Sequence, residues 1–246
     1  MTIERVGIVG AGQMGNGIAH VFALAGYDVL MSDISQDALD RARALIDRNL
    51  ERQVGRDLIT ADAKADAMGR IAGTLTLSDL GPTDLIIEAA TERETVKAAI
   101  FEDLLPHLKP DTILTSNTSS ISITRLAART DRPEKFMGFH FMNPVPIMQL
   151  VELIRGIATD EQTFKACQEV VARLGKTSTA SEDFPGFIVN RILMPMINEA
   201  IYTLYEGVGG VKSIDTSLKL GANHPMGPLE LADFIGLDTC LAIMNV

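Results

Sequence analysis

The feature that most constrains the fold is a glycine-rich turn near the start of the chain. The apolar run at residues 6–9 is typical of a β-strand and leads directly into the sequence GAGQMG at residues 10–15. Apolar residues at helical spacing follow, and Gly26 is predicted to end that helix. A second apolar run, at residues 29–31, is followed closely by Asp33. This order of strand, glycine turn, helix, strand and acidic residue indicates a dinucleotide-binding unit.

Each glycine of the turn has a physical reason: Gly10 allows the tight turn, Gly12 lets the backbone approach a pyrophosphate, and Gly15 lets the helix pack against the strand. The free N–H groups at the helix start would face the phosphates. Asp33 can accept hydrogen bonds from both ribose hydroxyls, and no nearby Arg or Lys would neutralise a 2′-phosphate. The alternative is an ordinary glycine turn, against which the flanking elements argue. We therefore expect NAD rather than NADP, bound by Gly10, Ala11, Gly12, Gln13, Met14, Gly15 and Asp33.

The composition limits the class of protein. Of 246 residues, 46% are hydrophobic and 22% charged, which is ordinary for a globular chain with a sizeable core. The net charge of −10 argues against nucleic acid and anionic membranes as partners. Cys167 and Cys240 lie in apolar helical patterns without metal-ligand spacing, so we expect reduced core residues and no bound metal. The first predicted strand starts within a few residues of Met1, so we expect no signal peptide. No apolar run approaches the roughly 20 residues of a membrane span, and we therefore expect a cytoplasmic protein.

A basic helix is predicted after this unit. Ser35 is expected to cap it, and the helix should run to about Val54. The stretch is the most basic of an otherwise acidic chain, with Arg41, Arg43, Arg48, Arg52 and Arg56. One interpretation is a solvated helix face. The other is a surface that binds an anionic group of the substrate, because arginine binds phosphate well.

Polar residues follow two predicted strands of the sheet. The apolar run at residues 84–90 is typical of a parallel strand buried on both faces. Glu92 and Lys97 come after its carboxyl end, where ligands bind in such sheets, so they either line the cofactor or form an ordinary surface pair of a helix. The next strand, at residues 112–115, leads into five small polar residues at 116–120. These residues either cap a helix or offer hydroxyls to a ligand.

One histidine and one carboxylate interrupt two further apolar strands. His140 lies in the aromatic run at residues 136–141, and Glu152 lies in the run at residues 149–154. Burying an unpaired carboxylate is costly, so Glu152 needs a partner, and His140 is the nearest candidate in the chain. A lone buried histidine is commonly just a core residue with satisfied hydrogen bonds. The two together indicate a general base held by a carboxylate, which fixes the imidazole tautomer and raises its basicity.

A second domain is predicted after a linker at residues 181–186, which is polar and ends in Pro-Gly. We place the NAD-binding domain at residues 1–184 and a smaller helical domain at residues 185–246. Asn190 lies in the first turns of a long apolar helix of the second domain. It is either a core amide with satisfied hydrogen bonds or a hydrogen-bonding group for the substrate at the cleft between the domains.

Four motifs closely resemble those of the L-3-hydroxyacyl-CoA dehydrogenases, in order and with matching spacing. They are GAGQMG at 10–15, SNTSS at 116–120, GFHFMNPV at 138–145 and GFIVNR at 186–191. The resemblance covers essentially the whole chain and is greatest to the bacterial 3-hydroxybutyryl-CoA dehydrogenases. It implies an α/β fold, with a Rossmann-type, mostly parallel sheet domain followed by a smaller all-α domain. It also implies that the chain ends before the family's C-terminal portion, so that the helical domain is incomplete.

The resemblance also implies roles for individual residues. His140 would be the base that takes the 3-hydroxyl proton, and Glu152 its orienting partner. Ser119 would bind the substrate's 3-oxygen near the nicotinamide, and Asn190 would contact the substrate. Residues expected to line the ribose and nicotinamide are Glu92, Lys97, Ser119 and Asn143. Residues at positions where the family binds the phosphates of CoA are Arg52 and Arg56.

The expected reaction is hydride transfer between C3 of a short-chain 3-hydroxyacyl-CoA and C4 of the nicotinamide ring. The partners expected are an acyl-CoA substrate and a second copy of the chain, joined through the helical domain. Three alternatives stay open: a dehydrogenase of a free hydroxy acid in the same superfamily, a catalytically silent NAD-binding protein, and an inactive fragment with an incomplete helical domain.

Overall fold

The chain forms two compact units. A computed structural model describes residues 2–245, and the first unit ends at Asp183 while the second begins at Phe184. The boundary expected from the sequence, between residues 184 and 185, lies one position further along the chain.

The first unit is built on an eight-stranded sheet. Its strands are β1 (Arg5–Val9), β2 (Asp28–Ser32), β3 (Ile71–Thr74), β4 (Leu85–Glu88), β5 (Ile113–Ser116), β6 (Phe136–Phe141), β7 (Leu150–Arg155) and β8 (Thr177–Glu182). The spatial order is β3-β2-β1-β4-β5-β6-β7-β8. Neighbouring strands are parallel except for β6 and β7, which are antiparallel. The mostly parallel, Rossmann-type sheet predicted from the sequence is confirmed.

The strand order places the carboxyl ends of β1, β4 and β5 side by side. The chain moves outward from β1 through β2 to β3, then returns to place β4 on the other side of β1. In such sheets this change of direction opens a crevice at the carboxyl ends of the strands, and ligands bind there. Strands β4, β5 and β6 are buried along their whole length, because helices cover both faces of the sheet.

The first unit contains six α-helices among its described residues, and the sequence predicts the end of the first and the start of the second. They are α1 (Gln13–Leu24), α2 (Gln36–Val54), α3 (Ala61–Gly69), α4 (Glu94–Leu104), α5 (Ile123–Ala127) and α6 (Glu161–Arg173). Gly26 follows the end of α1 with a φ of 83°, and its N–H donates to the Ala23 carbonyl at 3.0 Å. The Ser35 hydroxyl accepts from the Ala38 N–H at 3.3 Å and caps α2. Both predicted helix ends are confirmed.

Strand β8 differs from the expectation, because the sequence predicts a linker that begins at Ser181 and includes Glu182. The structure pairs β8 with β7 from Leu150 opposite Thr177 to Arg155 opposite Glu182. Strand β8 is at the edge of the sheet and most of its residues are exposed, so no apolar alternation marks it in the sequence. Main-chain hydrogen bonding to β7 forms this strand, and a pattern of side-chain burial cannot reveal it.

The second unit is helical throughout its ordered elements, as predicted. Its helices are α7 (Val189–Tyr205), α8 (Val211–Gly221), α9 (Pro228–Ile235) and α10 (Leu237–Met244). A small core joins α7, α9 and α10 through Met194, Ile197, Ala232 and Cys240. Among residues 2–245, no helix is both long and apolar enough to span a membrane.

Candidate active site

The glycine turn between β1 and α1 has the geometry that a dinucleotide requires. Gly10 has a φ of 100°, which side chains disfavour. A Cβ on Gly15 would lie 1.8 Å from the Gly10 carbonyl oxygen, so only glycine fits between the turn and the helix. Among the described residues, a Cβ on Gly12 would meet no atom within 4 Å apart from its immediate surroundings in the chain. The backbone there is open to close approach by a ligand, at the N-terminal end of α1, where N–H groups favour phosphate.

Asp33 directly follows β2 and is held against the same turn. One carboxylate oxygen accepts from the Ala11 N–H at 2.8 Å, and the other accepts from the Ser35 N–H at 3.0 Å. The carboxylate is half-buried and its position is therefore fixed relative to the turn. These residues fit a dinucleotide whose pyrophosphate lies at α1 and whose ribose lies beside Asp33.

His140 and Glu152 face each other across the antiparallel pair β6 and β7. They are register partners, and His140 Nδ1 lies 2.8 Å from a Glu152 oxygen. His140 is 5% exposed and Glu152 is fully buried. An ionised carboxylate can only accept hydrogen bonds, so the contact with Glu152 assigns the imidazole proton to Nδ1. The lone pair is then on Nε2. Imidazole Nε2 is then the atom that can take up a proton.

Ser119 lies on the other side of the imidazole. Its Oγ is 3.1 Å from His140 Nε2, so the hydroxyl, imidazole and carboxylate form one hydrogen-bonded row. The loop that carries Ser119 follows β5. Helix α5 is capped by the Ser122 hydroxyl, which accepts from the Arg125 N–H at 3.2 Å. Ser122, and not Ser119, therefore caps the helix that follows this loop.

Glu92 fixes the loop that carries Ser119. Its Oε1 accepts from the Ser119 N–H at 2.8 Å, from the Ser120 hydroxyl at 3.2 Å and from the Thr118 hydroxyl. The expectation that Glu92 lies at the carboxyl ends of the strands is thus met, in contact with the loop after β5. Direct contact of Glu92 with a cofactor stays a prediction.

Lys97 is not a surface residue, so the surface-pair alternative is wrong for it. Its side chain is 1% exposed, and Nζ lies 2.8 Å from both oxygens of Glu88, a fully buried carboxylate. Nζ also lies 3.4 Å from Glu92. Glu88 accepts further hydrogen bonds from the Ser116 hydroxyl at 2.6 Å and from the Ala90 N–H at 2.7 Å.

Sequence reasoning missed Glu88, which ends β4. The available signal was a carboxylate inside a strand predicted to be buried on both faces, since such a charge needs a counter-charge. A lysine nine positions later in the next helix supplies it. A contact between Lys97 and a cofactor stays a prediction.

The other predicted site residues lie at several places. Gln13 Nε2 donates to Asn143 Oδ1 at 3.1 Å, which joins the glycine turn to the segment after β6. Arg52 and Arg56 are exposed near the end of α2. Asn190 belongs to the second unit, where it is the second residue of α7 and is half-buried. In the part of the chain that the structure describes, no group of three or more His, Cys, Asp and Glu could hold a metal ion.

Comparison with known proteins identifies the class to which this fold and site belong. The family model named 3-hydroxyacyl-CoA dehydrogenase, NAD binding domain, matches residues 5–184, and the model of that family's C-terminal domain matches residues 186–246. The chain therefore belongs to the 3-hydroxyacyl-CoA dehydrogenase family of NAD-dependent oxidoreductases. Its first unit is the family's NAD-binding domain.

Individual relatives are similar over nearly the whole chain. The 3-hydroxybutyryl-CoA dehydrogenase of Bradyrhizobium diazoefficiens is 65% identical over 244 residues, which is 99% of this chain and 83% of the relative. The probable 3-hydroxybutyryl-CoA dehydrogenase of Deinococcus radiodurans is 52% identical over 98% of this chain and 87% of its own. The crystal structure of the (S)-3-hydroxybutyryl-CoA dehydrogenase from Ralstonia eutropha matches with a TM-score of 0.97 and 49% identity, over 99% of this chain and 86% of that one.

Proposed function

We propose that this chain interconverts a short-chain (S)-3-hydroxyacyl-CoA, such as 3-hydroxybutyryl-CoA, and the corresponding 3-oxoacyl-CoA, acetoacetyl-CoA. The observation that carries the proposal is the hydrogen-bonded row of Ser119, His140 and Glu152 near the carboxyl ends of β5 and β6. Simple NAD binding requires neither His140 nor Glu152. The similarity to 3-hydroxybutyryl-CoA dehydrogenases supports the choice of substrate class.

In the oxidative direction, the chain's own residues manage one proton. NAD, when bound, supplies the hydride acceptor at C4 of its nicotinamide ring. His140 Nε2 takes the proton of the substrate's 3-hydroxyl while hydride leaves C3. Glu152, at 2.8 Å from Nδ1, stabilises the imidazolium that forms and keeps the ring oriented. In the reductive direction the same imidazolium returns the proton to the 3-oxygen.

The other predicted residues bind and orient the two reactants. Ser119 hydrogen-bonds the 3-oxygen and keeps it within reach of Nε2. The turn at residues 10–15 and Asp33 hold the cofactor's pyrophosphate and ribose. Glu92, Lys97 and Asn143 line the cofactor further along. Further substrate contacts come from Asn190 and, at the phosphates of CoA, from Arg52 and Arg56.

The test is NADH oxidation with acetoacetyl-CoA, run in parallel with free acetoacetate. We expect turnover with the thioester alone. Equal turnover with both compounds would favour the free hydroxy acid dehydrogenase instead. No turnover with either, while NADH still binds, would favour a silent NAD-binding protein or an inactive fragment.

His140→Ala tests the assignment of the base. It should lower turnover on the order of 10²–10⁴-fold, the usual contribution of a general base. NADH affinity should be retained, because His140 is assigned to the proton and not to the cofactor. Turnover close to that of the wild type would refute the assignment.

We also propose that the second unit forms a homodimer and that the protein works in the cytoplasm. Many apolar side chains of this unit are exposed in the single chain, among them Ile192, Tyr205, Val208, Leu220, Phe234 and Leu241. Exposed apolar patches commonly mark protein interfaces. Light scattering over a range of concentrations should give the mass of a dimer, and a monomer throughout would contradict the proposed dimer.

The proposed location in the cytoplasm is supported by the free, buried thiols of Cys167 and Cys240, which fit a reducing compartment.

A further inference from the structure

The buried ion pair of Glu88 and Lys97 lies directly beneath the loop that carries Ser119. Glu88 is fully buried at the end of β4 and receives hydrogen bonds from Lys97, Ser116 and the Ala90 N–H. A buried ion pair contributes little net stability, because desolvation offsets the attraction, and an apolar pair of similar size often serves as well. Stability alone therefore does not explain two buried charges at this point of the sheet.

A continuous row of contacts leads from this pair to the imidazole. Lys97 Nζ lies 3.4 Å from Glu92 Oε2. The other oxygen of Glu92 accepts the Ser119 N–H at 2.8 Å. The Ser119 hydroxyl then lies 3.1 Å from His140 Nε2. The Glu92 side chain is 43% exposed, so without Lys97 it could turn towards solvent and release the loop.

We propose that Glu88 is a positioning residue for Ser119, acting through Lys97 and Glu92; the inference rests on the proposed function. Glu88 satisfies most of the charge of Lys97, and this leaves Glu92 shared between the lysine and the loop. If Glu88 lost its charge, Lys97 would be a buried cation whose remaining ion-pair partner in the described structure is Glu92, at 3.4 Å. Glu92 would then move towards Lys97 and away from the Ser119 N–H. The hydroxyl of Ser119 would no longer be fixed at the distance from His140 that proton transfer needs.

Glu88→Gln in the full chain tests this inference. It keeps the side-chain shape and removes the charge. We expect kcat with acetoacetyl-CoA to fall by at most about 10²-fold, as for a misplacement of about 1 Å caused by a distant change. We expect a larger change in kcat than in the KM for NADH. The glycine turn and Asp33 are untouched, and only the cofactor contacts proposed for Glu92 and Lys97 are disturbed.

A double-mutant cycle with Ser119→Ala separates positioning from general damage. If Glu88 acts through Ser119, then Glu88→Gln added to Ser119→Ala should lower kcat no more than about twofold further, within the scatter of independent measurements. A full additional loss in the Ser119→Ala background would overturn the proposal.

Asp84→Asn is the matched control, at the opposite end of the same strand. Asp84 accepts the Glu4 and Arg5 N–H groups at 3.0 and 2.9 Å and pairs with Lys109. Within residues 2–245 these contacts lie away from the Ser119 loop, so this variant should lower thermal stability and leave kcat unchanged in both backgrounds. A loss of kcat equal to that of Glu88→Gln would show that any lost ion pair on this strand suffices, and would overturn the proposal.

Two further measurements keep the outcomes distinct. If Glu88→Gln does not fold, the double variant Glu88→Gln/Lys97→Met removes both charges; it should fold and still have a lowered kcat, because Glu92 is no longer held. Wild-type kcat in the double variant would overturn the inference.

If Ser119→Ala slows turnover and Glu88→Gln does not, the inference fails while the proposed function stands. If Ser119→Ala and His140→Ala both leave turnover intact, the proposed function itself fails.

Discussion

Glu152→Gln is the sharpest test of how the carboxylate contributes to proton transfer. The substitution keeps the size of the side chain and an oxygen that can accept from His140 Nδ1, but it removes the negative charge. Glu152 is fully buried and lies 2.8 Å from that nitrogen. The substitution therefore removes a buried negative charge that lies in direct contact with the imidazole.

The magnitude follows from the separation of the charges. With about 4 Å between the centres of the imidazolium and the carboxylate, and an effective dielectric constant of about 20, the attraction is about 4 kcal/mol. If about half of the charge has developed in the transition state, about 2 kcal/mol is lost there. The corresponding decrease in kcat is roughly 30-fold for half the charge and roughly 10³-fold for the full charge.

The assay is steady-state NADH oxidation with acetoacetyl-CoA over a range of pH, with NADH binding measured separately by fluorescence. The loss should appear in kcat, and NADH affinity should be unchanged. Glu169→Gln is the matched control, because Glu169 is an exposed carboxylate of α6 and should have no effect. A decrease in kcat of less than about threefold for Glu152→Gln would refute the electrostatic argument, because the loss of about 2 kcal/mol of transition-state stabilisation corresponds to roughly 30-fold.

Three further predictions concern the cofactor turn and a buried histidine. Asp33→Ala should weaken NADH binding on the order of 10- to 100-fold, because hydrogen bonds to a charged group are lost, while kcat at saturating NADH should be retained. Fluorescence titration measures the NADH affinity, and an unchanged affinity would contradict the ribose assignment. Gly15→Ala should lower the free energy of unfolding by about 1–3 kcal/mol or more, since its Cβ would lie 1.8 Å from the Gly10 carbonyl oxygen, and wild-type thermal stability would contradict this. Burial of His20, together with the charge of Lys176, holds its pKa below the ordinary 6.5 although Gln53 opposes the shift. The neutral ring therefore stabilises the fold above pH 6.5, and this contribution is lost as the pH falls from there towards the folded-state pKa. Urea unfolding at several pH values should show a smaller loss of stability with acid in His20→Gln than in the wild type. Equal slopes of stability against pH would contradict the assignment.

The sequence by itself determined the local elements of the cofactor site. A glycine with positive φ, a glycine that packs against its own turn and a helix N-terminus are properties of a few adjacent residues, so the pattern at residues 10–15 predicts them. The caps at Ser35 and Gly26 are equally local. The need of Glu152 for a partner also follows from the sequence, because burial of a carboxylate is costly wherever the strand lies.

Only the tertiary structure decided which distant groups meet. Lys97 was open to interpretation as a surface residue until the packing of α4 brought it to Glu88. Ser119 and His140 are 21 positions apart in the chain, and the pairing of β5 with β6 sets their separation of 3.1 Å. Strand β8 exists through main-chain hydrogen bonds to β7, which leave no mark on an exposed edge strand's side chains. Contacts of this kind depend on strand order and register, which apolar periodicity does not specify, and so the pattern predicted the parts of the site while the fold set their distances.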